Sequence, residues 1–136
     1  MSGMDVIRAR IQADRFASEN GITLVEVRPG AAVARMEVGA RHLNGVGIVQ
    51  GGAIFTLADL AFAAAANSHG EIAVAIDVSI SFIRAVSGGT LTADAREEAV
   101  NPRLSTCLVR VTDEAGALVA LFKGTAYRKR GGGKAG

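Results

Sequence analysis

Hydrophobic and polar positions change period several times along the chain, and each change marks an element. Ile72, Val74, Ile76, Val78, Ile80 and Phe82 alternate with Ala73, Ala75, Asp77, Ser79 and Ser81, the period of two that a strand imposes. The expectation is a long strand over 72–82 whose large side chains pack on a buried helix. Its small side chains leave room for a ligand or a second subunit. Thr90–Glu98, Leu104–Thr112 and Ala117–Arg128 alternate in the same way, with Ser87-Gly88-Gly89, Asn101-Pro102 and Asp113-Glu114-Ala115-Gly116 as the breaks between them. These four strands together predict an antiparallel meander. Upstream, Ile22–Arg28 and Ala31–Val38 flank Pro29-Gly30, a pair suited to the centre of a type II turn, so a hairpin is expected there.

Two stretches carry the helical period instead. Asp5–Asn20 has a weak version of it, with Asp5 placed to cap the start and Gly21 to stop the end, which predicts a short lid-like helix. Gly51–Ser68 has Ala, Leu and Phe on nearly every side, and a helix apolar all round is a buried one. Between the hairpin and this helix, 39–50 has glycines and no sustained period, so it reads as a loop, carrying Arg41, His42 and Asn44. The order of elements makes the chain α+β, with an antiparallel sheet curled around one long central helix. Residues 1–128 form a single domain on this reading, and the glycine-rich 129–136 is expected to be a disordered tail.

Composition narrows the chemistry. A chain of 136 residues that is 49% hydrophobic is long enough to bury a real core. Cys107 is the only cysteine and alternates with Val109 and Val111, as a buried structural residue does. With only His42 and His69 besides, no metal site is expected. The net charge is +2, and four basic residues fall within 128–136, so the body is near neutral and nucleic-acid binding is not expected. The longest uncharged run, 45–58, is too short and too glycine-rich to span a bilayer, so no membrane association is expected. The first residues lack the basic and then apolar pattern of a secretory leader, which predicts a cytoplasmic protein.

Candidate chemistry concentrates around Gly51, Gly52 and Asp59. The two glycines sit where the loop enters the helix, so they serve either a tight approach to the sheet or a developing oxyanion at free backbone N–H groups. Asp59 shares a helical stripe with Phe55 and Phe62, and apart from His42 it is the only ionisable side chain between Arg41 and His69. It is either a rim carboxylate bonded to a neighbour or a catalytic one. Gly51 and Asp59 are eight residues apart, about 12 Å along one helix, so one chain cannot aim both at a single carbonyl group. Antiparallel helices of a dimer would place Gly51 of one chain opposite Asp59 of the other and create two composite sites.

Asn44-Gly45, Gln50-Gly51-Gly52 and Phe55-Thr56-Leu57-Ala58-Asp59, followed by the strand Ala75–Arg84, resemble the hotdog-fold acyl-CoA thioesterases of the phenylacetic-acid-degradation (PaaI-like) group. The resemblance covers about 22–128. It implies hydrolysis of an aryl- or medium-chain acyl-CoA, with Asp59 as nucleophile or general base, the Gly51 N–H of the partner subunit as oxyanion donor, and Asn44 orienting water or carbonyl. Asn44 could also serve simply as a turn residue, and Thr56 could back-bond to its own helix. Gln50, Gly52, Thr56, Phe55, Phe62, Phe82 and Arg84 are the expected substrate-binding residues. Arg84, Arg103, Lys123 and Arg128 are candidates for the phosphates of coenzyme A. The family usually has His where this chain has Gln50, and Gln takes no proton at neutral pH. A non-catalytic acyl-CoA-binding module is therefore the alternative. No cofactor is expected beyond the coenzyme A of the substrate, and self-assembly into a homodimer or homotetramer is.

Overall fold

A computed structural model describes residues 3–129. Six strands form one antiparallel sheet: β1 (Ile22–Arg28), β2 (Ala31–Glu37), β3 (Ala73–Phe82), β4 (Thr90–Val100), β5 (Leu104–Thr112) and β6 (Leu118–Arg128). The helices are α1 (Gly3–Gln12), α2 (Arg15–Glu19) and α3 (Gly51–Ala66), with a short 3-10 turn at Ala40–His42. The sheet wraps α3, which touches all six strands. This is the hotdog architecture the sequence predicts. The inward positions explain the closeness of the wrap. Ala32 and Ala34 of β2, Ala93 and Ala95 of β4, and Ala120 and Ala126 of β6 are all buried, so sheet and helix approach without large side chains between them. Leu57, Phe62, Phe122, Met36 and Leu91 fill what remains.

The predicted hairpin is present, and Gly30 at φ +77° occupies the position that a type II turn reserves for glycine. The predicted four-strand meander is not. The sheet order is β1-β2-β4-β5-β6-β3, so β4 pairs with β2 and β3 lies beyond β6 at the far edge. The reason is topological: α3 crosses the sheet between β2 and β3, and the residues from Ile83 to Gly89 carry the chain back to a place beside β2.

The strict alternation over 72–82 is also interrupted. Ala75 pairs with Ala126 and Asp77 with Thr125, leaving Ile76 in a bulge that exchanges the two faces. Ala73 and Ala75 therefore share the inward face with Val78 and Ile80, while Val74 is turned out with Asp77 and Ser79. Val78 and Ile80 pack on the core as predicted, whereas Val74, Ile76 and Phe82 are exposed.

The single helix predicted over 5–20 is two, broken at Ala13-Asp14. Asp14 Oδ1 accepts from the Ala17 N–H at 3.0 Å and so caps α2, while Asp5 lies inside the first turn of α1. The loop 39–50 is tied down rather than loose. His42 is buried, its Nδ1 accepting from the Gly39 N–H at 2.9 Å and its Nε2–H donating to the Asn20 carbonyl at 2.7 Å. Arg41 Nη1 donates to the Glu19 carbonyl at 2.7 Å. Two basic side chains thus hold the carbonyl end of α2.

Near the carboxyl end of α3, the buried Arg128 pairs with Glu97 at 3.2 Å, and Glu97 also accepts from Ser105 at 2.5 Å and bonds His69 at 2.6 Å. Cys107 is buried as expected, and burial pushes its thiol up to about 11. Lys129, the first residue of the expected tail, is held by its N–H to the Ile72 carbonyl at 2.8 Å, and the rest of that tail lies outside the described residues. No helix among the described residues is long and apolar enough to cross a membrane.

Candidate active site

The amino end of α3 divides two clefts. A cleft of about 450 Å³ is lined by Phe16, Asn20, Arg41, His42, Gln50, Gly52, Ala53, Phe55 and Thr56. A second, of about 340 Å³, brings together Asn44, Gly51, Phe82 and Arg84 with the backbone around Ile48 and Ala85. Eight of the ten predicted site residues therefore meet at this end of the helix. Two do not. Phe62 is buried, its ring against Gly124 and 5.6 Å from that of Phe122, so it is a core residue and not part of either cleft. Asp59 lies two turns along α3.

Gln50 is the N-cap of α3. Its Oε1 accepts from the Gly52 N–H at 2.5 Å, and the Gln50 carbonyl accepts from the Ala53 N–H at 2.9 Å. The Gly51 N–H has no partner among the described residues and borders the second cleft. The ring of Phe82 lies against Gly51 so closely that a Cβ there would stand 3.1 Å from it. Asn44 behaves as a turn residue in part: its Oδ1 accepts from the N–H groups of Val46 at 3.0 Å and Ile48 at 3.2 Å, which leaves the amide nitrogen to the cleft. Thr56 back-bonds to the Gly52 carbonyl at 2.8 Å. Phe55 stands edge-on to Phe122, 5.5 Å between ring centres.

Asp59 is half-buried on the side of α3 that the sheet leaves open, in line with Gly52, Thr56 and Ala63. No hydrogen bond or ion pair among the described residues engages its carboxylate. The rim-acid reading required such a neighbour. Burial pushes its carboxyl above the ordinary range, and the negative charge of Asp14 adds to the effect. A half-buried, unpaired carboxylate raised in this way is a candidate for chemistry.

The candidate phosphate partners separate. Arg84 is exposed at the second cleft with its guanidinium unpaired among the described residues. Arg103 donates to the Tyr127 hydroxyl at 2.6 Å, Lys123 is exposed on the sheet, and Arg128 is consumed by Glu97 and by the Asn101 carbonyl at 2.7 Å. Arg128 is therefore a structural ion rather than a ligand group. The sequence reading missed Phe16, Asn20, Arg41 and His42 as cleft residues. Arg41 and His42 stood out as the ionisable positions of a glycine loop, but nothing in the one-dimensional pattern brings α2 to that loop. No group of three or more His, Cys, Asp or Glu among the described residues could hold a metal.

Comparison with known proteins gives a consistent set of likenesses. The model of the thioesterase superfamily matches residues 46–120. Acyl-coenzyme A thioesterase PaaI of Escherichia coli (strain K12) is 37% identical over 121 residues, 88% of this chain and 86% of that one. Its solved structure superposes with a TM-score of 0.88 at 35% identity, covering 93% of this chain and 92% of that chain. A mutant of the phenylacetic acid degradation protein PaaI from Thermus thermophilus superposes with a TM-score of 0.81 at 40% identity, covering 85% of this chain and 99% of that chain. The smu.793 protein of Streptococcus mutans UA159, solved bound to acetyl CoA, has a TM-score of 0.76 at 28% identity, covering 79% and 88%.

Proposed function

The chain belongs to the thioesterase superfamily, as a PaaI-like hotdog thioester hydrolase acting on acyl-CoA, and we propose that its acyl group is aryl or of medium length and that Asp59 carries the reaction. The observation that carries this assignment is the unpaired, half-buried Asp59 carboxylate in an otherwise apolar helix, with its carboxyl raised by burial. It acts as nucleophile on the thioester carbon or as general base for water, and either route ends in free acid and coenzyme A. The Gly51 N–H, left open by the capping scheme of Gln50, donates to the carbonyl oxygen as negative charge develops there. In the same cleft the Asn44 amide nitrogen orients the water or the carbonyl, and Arg84 supplies a donor for the coenzyme A arm of the substrate. The reaction uses no cofactor beyond the coenzyme A that leaves.

One chain does not complete this site, because Gly51 and Asp59 sit eight residues apart on an unbroken helix. The missing half is supplied by a second copy. The ten residues of β3 form an edge strand, bonded only to β6, and Ile76 and Phe82 are exposed on it. Such an edge invites pairing with another chain, here an antiparallel homodimer that can assemble further to a homotetramer.

The test is thiol release by the purified protein from phenylacetyl-, benzoyl- and hexanoyl-CoA. Asp59→Ala should lower kcat by at least about a hundredfold, the scale typical of a lost acid–base group. Turnover within twofold of the parent would remove Asp59 from the mechanism.

A further inference from the structure

We propose that Phe16 is a specificity-determining residue, its ring and that of Phe55 forming the two walls that receive a ring-bearing acyl group in the larger cleft beside the head of α3. The inference rests on the acyl-CoA reading above and assigns one cleft to each arm of the substrate.

The two clefts differ in what they leave uncommitted. In the larger one each polar side chain makes at least one bond within the fold. His42 bonds Gly39 and Asn20, and Arg41 bonds Glu19. The Asn20 side chain donates to the Phe16 carbonyl at 2.8 Å, Thr56 bonds Gly52, and Gln50 accepts from Gly52. Beside the Gln50 amide nitrogen, which has no partner among the described residues, this cleft offers the apolar Phe16, Ala53 and Phe55. The smaller cleft is also largely apolar, lined by Ile54, Phe82, Ile83 and Val86, but it adds a cation that the fold leaves free: the Arg84 guanidinium, like the Asn44 amide nitrogen, has no partner among the described residues. An acyl-CoA has one apolar arm and one long polar arm joined at the thioester. The matching placement puts the acyl group against Phe16 and Phe55, the thioester at the helix head, and the thiol arm past Asn44 and Arg84.

Phe16 is 66% exposed, an unusual position for a phenylalanine on a segment that is otherwise anchored. That anchoring fixes the backbone that carries the ring. Ala17 beside it is buried, Asp14 caps the first turn, and Arg41 and His42 hold the last two carbonyls. A wall held in place before the substrate arrives costs little ordering on binding. A substrate ring between two such walls makes the offset or edge-on contacts that an aliphatic chain lacks.

The experiment compares kcat/KM for phenylacetyl-CoA with that for acetyl-CoA in the full chain and in Phe16→Ala, Phe16→Leu and Phe16→Tyr. The preference for phenylacetyl over acetyl should fall about tenfold in Phe16→Ala, mainly through KM, and should persist in Phe16→Tyr, which keeps the ring. Phe16→Leu should lose the preference for phenylacetyl-CoA while retaining that for hexanoyl-CoA over acetyl-CoA. An active parent whose preference is the same in all three variants overturns the role of Phe16 and leaves the thioesterase reading intact. A parent that releases no thiol from any of these esters overturns both.

Discussion

The role proposed for Asp59 sets reactivity against stability in a single side chain. Its carboxyl is raised above the ordinary carboxylate range, chiefly by burial and then by the charge of Asp14. As pH rises the unfolded chain therefore loses this proton first, and the folded state is weakened relative to it. The stability associated with the proton is fully present below the ordinary carboxylate pKa and is gone above the folded one. Asp59→Asn, which cannot ionise, should accordingly melt at a higher temperature than the parent at pH 7 to 8 while being inactive. The gain should shrink to nothing below about pH 4, where the parent is protonated in both states. Thermal melts of the two proteins across pH 3 to 8 test this, and a variant that melts lower at neutral pH would mean that the carboxylate has a stabilising partner. Asp59 was legible in the sequence because an acid in an apolar helix stands out. Phe62, on the same stripe, was misread for the same one-dimensional reason: three residues along the helix turn a side chain by about 60°, which here is the difference between an open face and the core.

At the scale of elements, hydrophobic period found the strands and α3 to within two or three residues, and it failed wherever an element departs from ideal geometry. The bulge at Ile76 leaves no mark in a sequence that alternates perfectly through it. The sheet order was out of reach as well, since β4, β5 and β6 form a local meander but the position of β3 depends on where α3 crosses. The loop 39–50 looked featureless because its order comes from hydrogen bonds, not from period. His42 makes that order testable. It satisfies the Gly39 N–H and the Asn20 carbonyl at once from a buried position, so His42→Ala leaves both without a partner. We expect a loss of about 2–4 kcal/mol in denaturant unfolding, on the scale of one to two unmade buried hydrogen bonds together with the cavity. A loss below about 0.5 kcal/mol would show that water replaces the imidazole, and that this side chain does not set the path from α2 to the head of α3.

At the scale of the whole molecule, the fold carries a divided candidate site and an open sheet edge on the same chain. The free Gly51 N–H and the unpaired Asp59 carboxylate lie about 12 Å apart on one helix, and β3 ends the sheet with an unbonded edge. The proposed two-fold partner would resolve both at once, by extending the sheet across β3 and laying a second α3 antiparallel to the first. A site shared between two chains differs from a self-contained one when two inactive variants are combined. Gly51→Pro removes the donor N–H at the first position of the helix, which accepts proline once the Phe82 ring 3.1 Å from the new Cβ shifts slightly, and Asp59→Ala removes the carboxylate. Each homodimer should be inactive. A heterodimer of the two, isolated by a different tag on each chain, carries one site with both native groups and one with neither. Its turnover should be about half that of the parent dimer. If each chain assembled its own site, every site in the heterodimer would lack one group, and it would be as inactive as either homodimer.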